Sequence, residues 1–278
     1  MLLDAPVSNF VYSSFSFFGS VRGGELPGRW FVTALAEVGC DEPAVRQTLY
    51  RMERSGELLS RREGREKLYR VTGYAQGEIT AGTGKIFDPP APWDGQWTLL
   101  HARFEKAERM HRERLQVLLQ VEGFANLGPG LYIHPRPRGE RVLAAVDPAV
   151  RERVIALRGG RVGEEPDARF IARHWDVPAL TCRYRDALGA LDRIARETGR
   201  RCAEVEAFRR RFEVVLRFLR VAWDDPDLPP DLLPPDWAGT AARERAEELY
   251  RRFLPGALRF GDRVLADIGH ASPVALRR

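Results

Sequence analysis

Residues 27–72 hold two short amphipathic helices, a tight turn and two short strands, an order that few folds accommodate. Pro27 suits a first helical turn. Trp30, Phe31, Ala34, Leu35 and Val38 then share one helical face. Gly39 fits the position after a helix C-cap, Asp41 an N-cap, and Pro43 the first turn that follows. Val45, Leu49 and Met52 recur at i, i+4, i+7 and predict a buried stripe, and Gly56 ends the helix. Residues 58–62 and 65–72 predict two strands around a Glu63-Gly64 turn. Thr72 is placed to cap a further helix to about Ile86.

The exposed side of the second helix carries the chemistry. Gln47, Tyr50, Arg51 and Arg54 are spaced i, i+3, i+4, i+7 and form one strip, with Arg46 at its N-terminal border. Arginine and short polar side chains near the start of a second helix are what reading base edges in a DNA groove requires. Alone, such a face would read as solvated. Here a hairpin follows that carries Arg61, Arg62, Arg65, Lys67 and Arg70. Helix, turn, helix and basic hairpin make a winged helix-turn-helix, whose wing tracks phosphate or enters the minor groove. The expected partner is double-stranded DNA.

Charge sharpens this reading. The chain of 278 residues has a formal net charge of +5, and only Lys67, Lys85 and Lys106 are lysines. An arginine excess suits a polyanion but also follows from GC-rich codons, so its placement matters more. Residues 1–88 balance at 11 basic and 11 acidic, whereas 46–70 hold 8 basic against 4 acidic.

Three cysteines, Cys40, Cys182 and Cys202, are too few and too far apart for a disulfide framework or a zinc finger. Each is expected to be a small buried side chain. The aromatic run 10–18 is too short to span a bilayer, and Asp4 is the only charge before it, so a buried first helix is expected rather than a leader. A cytoplasmic location without membrane contact follows as the expectation. No cofactor and no metal is expected.

Past the proline-rich segment 88–93 the pattern changes. Residues 97–104 predict a strand, 107–122 a helix and 131–134 a strand, while 149–158 and 169–175 stay open between helix and strand. This alternation indicates a small α+β domain. Helices are predicted over 178–198, 201–223 and 241–254, with Val205, Phe208, Phe212, Val215, Leu216 and Leu219 sharing one face. The run 224–237, rich in aspartate and proline, cannot continue a helix. The stretch from 255 to Arg278 has no clear pattern.

These residues resemble the PaaX family, repressors of phenylacetate catabolism. The resemblance runs over most of the chain. It is carried by Phe17-Phe-Gly-Ser-Val-Arg22, by Ala44-Val-Arg-Gln-Thr-Leu-Tyr-Arg-Met52 and by Gly64-Arg-Glu-Lys-Leu-Tyr-Arg-Val-Thr72. Trp93-Asp-Gly-Gln-Trp97 and the segment 123–135 follow, and the run 225–237 is the most specific match. Ser20, where the family commonly has an acidic residue, and Glu66-Lys67 in the wing depart from the pattern. Both leave operator and effector open.

The resemblance implies an α+β protein of three parts: a winged helix-turn-helix at 1–88, a ferredoxin-like, Cas2-like domain at 89–176 and a helical effector or dimerisation domain at 177–278. It also implies a homodimer on an inverted-repeat operator, released by an aryl acyl-CoA such as phenylacetyl-CoA. A CoA ester needs cations for its phosphates and an apolar pocket for its acyl end. On that implication Arg103, His134 and Arg183 are candidates for the phosphates. Trp97, Tyr132 and Tyr184 are candidates for the acyl group, with core packing the alternative for each aromatic. The C-terminal helices, whose apolar faces exceed what one short bundle needs, are the expected dimer surface.

A metal-dependent nuclease of Cas2 type is the first competing reading, but the strand 97–104 contains no carboxylate to hold an ion. A metabolic enzyme would need a phosphate loop, nucleophile elbow or paired histidines, which the sequence lacks. A winged-helix regulator answering an unrelated signal, or using its winged helix only for protein contacts, stays open.

Overall fold

The computed structural model describes residues 5–199 and 202–270. The predicted helix start at Arg201 and the chain after His270 lie outside them. The described residues pack as two units. One comprises those of 1–88, 185–220 and 239–278; the other comprises 89–184 and 221–238.

The first unit begins with α1 (Val7–Ser14), which runs into a π-helical turn, Phe15–Gly19. Phe10, Phe15, Phe17 and Phe18 are all buried, as expected for this run. Then come β1 (Glu25–Pro27), α2 (Gly28–Ala36), α3 (Glu42–Arg54), β2 (Leu58–Glu63), β3 (Glu66–Val71) and α4 (Gly73–Phe87). The caps fall where the sequence puts them: the Asp41 carboxylate accepts from Ala44 N at 2.7 Å, and Thr72 Oγ1 from Ala75 N at 3.4 Å. Two details differ. Pro27 ends a strand that the sequence did not announce, pairing with β3 in the order β1-β3-β2. The hairpin loop is Gly64-Arg65, since Glu63 pairs with Glu66. Gly64 has φ 60°, which a two-residue loop with glycine first requires.

Two further long helices belong mainly to this unit. The Phe208, Phe212 and Leu216 face of α10 (Glu204–Ala222) shares one core with Phe10, Phe17, Trp30 and Leu49. This face of α10 is therefore covered within the chain. α11 (Gly239–Asp267) passes straight through Pro255, where the sequence predicts an end. Proline removes one backbone bond and crowds the preceding turn. Beyond it, however, Ala257, Phe260, Gly261, Val264 and Leu265 continue the buried face. A Cβ on Gly261 would lie 2.5 Å from Phe18, and Trp30 Nε1 donates to the Gly261 carbonyl at 3.0 Å. Tertiary packing outweighs the local penalty.

The second unit contains β4 (Trp97–Ala102), α5 (Arg109–Val121), β5 (Ala125–Gly128), β6 (Leu131–His134), α6 (Gly139–Ala145), α7 (Pro148–Arg151), β7 (Val154–Gly159) and α8 (Asp167–His174). The sheet order is β5-β6-β4-β7 and every pair is antiparallel. A β-α-β-β-α-β chain with this order is the ferredoxin-like fold. The two open segments resolve as α7 followed by β7, and as α8. α9 (Val177–Glu197) contributes its first turns to this unit and the rest to the other.

Alternation along the strands gives the sheet two apolar faces. Leu100, Ala102 and Tyr132 pack with Leu115 and Leu119 of α5. Trp97 and Ile133 pack with Phe170 and Ile171 of α8, and with Leu228 and Leu232 from the proline-rich run. That run is clasped by polar bonds. Arg136 Nε donates to the Asp227 carbonyl at 3.1 Å, Arg138 pairs with the Asp227 carboxylate at 2.9 Å, and Asp231 accepts from Trp93 N at 2.7 Å. Asp227, at φ 62°, is the one non-glycine residue with positive φ among the described residues, and the clasp holds it there.

Of the cysteines, Cys40 is buried, Cys202 half-buried and Cys182 exposed, so the expectation of three buried thiols holds for Cys40 alone. Burial pushes the Cys40 thiol up to about 11. Cys182 lies on the solvent side of α9, where its helical phase, not its apolar character, decides its exposure. No helix among the described residues is long and apolar enough to cross a membrane.

Candidate nucleic-acid interface

α3 is fixed by its inner face. Val45, Thr48, Leu49 and Met52 are buried, which turns Arg46, Gln47, Tyr50, Arg51 and Arg54 outward together. Gln47, Thr48, Tyr50, Arg51, Arg54 and Ser55 line an open concavity of about 670 Å³. The members of the strip are engaged differently. Arg46 pairs with Glu42 one turn back at 2.6 Å, an exposed contact that a phosphate or base can displace at little cost. Arg54 donates to Tyr50 Oη at 3.4 Å and lies 6.0 Å from its ring. Arg51 has no ion pair or hydrogen bond from its side chain among the described residues.

The wing divides its cations in the same way. Arg62 and Arg65, beside and within the hairpin loop, are exposed and carry no ion pair among the described residues. Arg61 is held by Glu25 at 2.7 Å and Glu63 at 2.6 Å. The hydrogen bond from Arg61 holds the Glu25 carboxyl below its ordinary range. Lys67 is half-buried, 2.6 Å from Glu53 and 5.2 Å from the Tyr69 ring centroid. Of the wing candidates, Arg62 and Arg65 are thus available for phosphate, while Arg61 and Lys67 brace the sheet.

Glu53 is the residue that sequence reasoning missed. Its carboxylate accepts from Lys67 Nζ at 2.6 Å and from Ser60 Oγ at 2.5 Å, which ties the end of α3 to both wing strands. The Lys67 bond, then the Ser60 bond, depress its pKa. Its signal lies in pairing across fourteen residues, which helical periodicity does not register. A second missed link joins the turn before α3 to α10: Arg209 donates to the Glu37 carbonyl at 2.9 Å and its carboxylate at 2.6 Å.

The six effector candidates divide: His134, Arg183 and Tyr184 each contact one of the successive residues 224–226, whereas Trp97 and Tyr132 belong to different cores. Trp97 and Tyr132 lie on opposite faces of the central sheet, in separate cores. Trp97 Nε1 donates to Asp167 at 3.3 Å. His134 is fully enclosed; its Nδ1 accepts from Arg136 N and its Nε2 faces the Pro226 carbonyl, each at 2.9 Å. Burial first, and the Arg138 charge next, lower its pKa to about 3, so the ring is neutral at neutral pH. Tyr184 is buried against Trp237, and its hydroxyl donates to Asp225 at 2.6 Å. Burial and that neighbouring carboxylate raise its pKa. Arg183 pairs with Asp224 at 2.5 Å, and Arg103 is exposed at the end of β4. No cluster of three or more metal-binding side chains occurs among the described residues.

Comparisons with known proteins bear on the whole chain. A model of the PaaX-like protein matches residues 10–75, the central Cas2-like domain of PaaX protein matches 90–171, and the PaaX-like C-terminal domain matches 175–263. The transcriptional repressor PaaX of Escherichia coli K12 is 28% identical over 249 residues, covering 87% of this chain and 78% of that protein. Among solved structures, the protein Rv0674 of Mycobacterium tuberculosis matches with a TM-score of 0.62 over 95% of this chain and 99% of that one. At 20% identity this last likeness is one of fold.

Proposed function

The chain belongs to the PaaX family, and from that premise we propose that it is a sequence-specific DNA-binding transcriptional repressor. One observation carries the reading: the exposed strip Gln47, Tyr50, Arg51 and Arg54 on α3 stands in the same unit as a wing whose Arg62 and Arg65 lack carboxylate partners among the described residues. Reading base edges needs unengaged polar groups on a rigid helix, and phosphate contact needs cations beside it.

The target is an operon for catabolism of an aromatic acid of phenylacetate type. The partner is a second copy, because one winged helix has a small footprint and two copies on a twofold axis match an inverted repeat. The signal is an aryl acyl-CoA that favours the DNA-incompetent form. Support for operon and signal comes from the family resemblance. Among the candidate effector residues, exposed Arg103 is the one best placed to meet a phosphate from solvent.

The test is fluorescence anisotropy with labelled duplexes from the promoters flanking the gene. Tight, salt-dependent binding to one of them over a scrambled duplex supports the repressor reading. Titration of that complex with phenylacetyl-CoA, phenylacetate and CoA then tests the signal. Release by the thioester alone supports it; no release by phenylacetyl-CoA, with DNA binding intact, leaves the repressor and removes this effector.

A further inference from the structure

We infer that Arg211 is the anion-binding group of an oxyanion site in the interior of the first unit, taking the carboxylate or phosphate of a small organic ligand. Arg211 lies on α10 and is wholly enclosed. Its guanidinium carbon is 3.8 Å from the ring centroid of Phe17, on the π-helical turn, and 4.1 Å from that of Tyr250, on α11. Nη1 makes one long bond to Ser13 Oγ, at 3.4 Å. Nε and Nη2 are buried with no partner in hydrogen-bond geometry, and among the described residues the only polar support beside Ser13 is the nearby Tyr250 side chain, which favours the charge. No carboxylate pairs with Arg211 among the described residues, whereas its helix neighbours Arg209, Arg210 and Arg217 each pair with at least one.

The identity of the orphaned atoms defines the ligand. Nε and Nη2 form one edge of the guanidinium, the edge that meets two oxygens of a carboxylate or phosphate in a fork. The same unit shows this use: Arg22 Nε and Nη2 donate to the two oxygens of Asp262 at 2.8 and 2.5 Å. Arg211 presents the same edge with no oxygens on it. Two aromatic rings stabilise a cation in part, but an enclosed charge without a counter-charge remains costly, and a bound oxyanion removes that cost. π-Helical turns, one of which presents Phe17, recur at functional sites. Because Arg211 is closed off in this state, the ligand binds by selecting a more open form.

Occupancy is independent of the repressor reading; only a coupling to DNA release would rest on it, so the readout is thermal stability. The full chain is heated with sodium benzoate, acetate, phosphate or CoA up to 50 mM, each against chloride at equal ionic strength. The expected result is a rise in Tm of at least about 2 °C at ten times the dissociation constant for one of these. Benzoate or acetate identifies a carboxylate ligand, phosphate or CoA a phosphate. Arg211→Met is expected to lose the shift. Ser13→Asp, which supplies an internal carboxylate near Nη1, is expected to fold and lose it too, and serves if the methionine variant does not fold. No response of the unsubstituted protein to any of the four overturns the inference, as does an equal response in either variant.

Discussion

Lowering the pH from 7 to 5 should destabilise the second unit through His134. Both ring nitrogens are engaged: Arg136 N donates to Nδ1, which leaves Nε2–H to donate to the Pro226 carbonyl. Protonating Nδ1 breaks the first bond and charges an enclosed ring beside Arg138 and Arg136. The folded pKa of about 3 lies below the unfolded value of about 6.5. The folded state therefore binds fewer protons between these limits. The stabilisation is fully present above the unfolded pKa and is lost as pH falls towards the folded one, at about 1.4 kcal/mol per pH unit. From pH 7 to 5 this amounts to about 2 kcal/mol. Five of the six tryptophans, Trp93, Trp97, Trp175, Trp223 and Trp237, belong to this unit, so their fluorescence reports its unfolding in urea. His134→Gln keeps a donor and an acceptor but does not titrate. The unsubstituted protein should lose about 2 kcal/mol more than this variant over the interval. Equal losses in both would exclude His134 as the cause, as would an NMR signal of a doubly protonated His134 ring at pH 5.

Other outcomes follow from single contacts. Asp41→Ala removes the cap of α3 and should lower stability of the first unit by about 1 kcal/mol, read by circular dichroism on denaturation. Gly123→Ala should be worse tolerated in the second unit: its φ is 79° and the new Cβ would lie 2.7–2.8 Å from Pro226, so a clear drop in urea midpoint by tryptophan fluorescence is expected. Arg62→Ala or Arg65→Ala should weaken binding to all duplexes alike and reduce the salt slope by about 1, measured by anisotropy between 50 and 200 mM salt.

Much of the first unit was legible because its signals are local. Asp41, Thr72 and the stripe Val45, Leu49, Met52 each act within one or two helical turns, and they place α3 and α4 to within a residue or two. The strip on α3 came with them, since fixing one face fixes the other. What stayed hidden depends on distant partners. β1 is three residues long and exists by pairing with β3. Pro255 sits inside α11 because Phe18 and Trp30, over 200 residues earlier, pack on the following turns. The aspartate and proline run 224–237 was recognisable as a motif, but its role as a strap latched by Arg136 and Arg138 was not. Side-chain type marks the effector candidates but carries no register. Strand alternation sends Trp97 and Tyr132 to opposite faces of one sheet, and a register between two strands is invisible in either alone.

On the proposed function, the exposed face of α3 reads base edges. The most direct test compares Arg51→Ala with the unsubstituted protein on the bound promoter duplex and on a scrambled one, at fixed salt. A loss of about 1–3 kcal/mol on the promoter duplex and a much smaller loss on the scrambled one is expected. Unchanged affinity for the promoter duplex, or an equal loss on both, would contradict it.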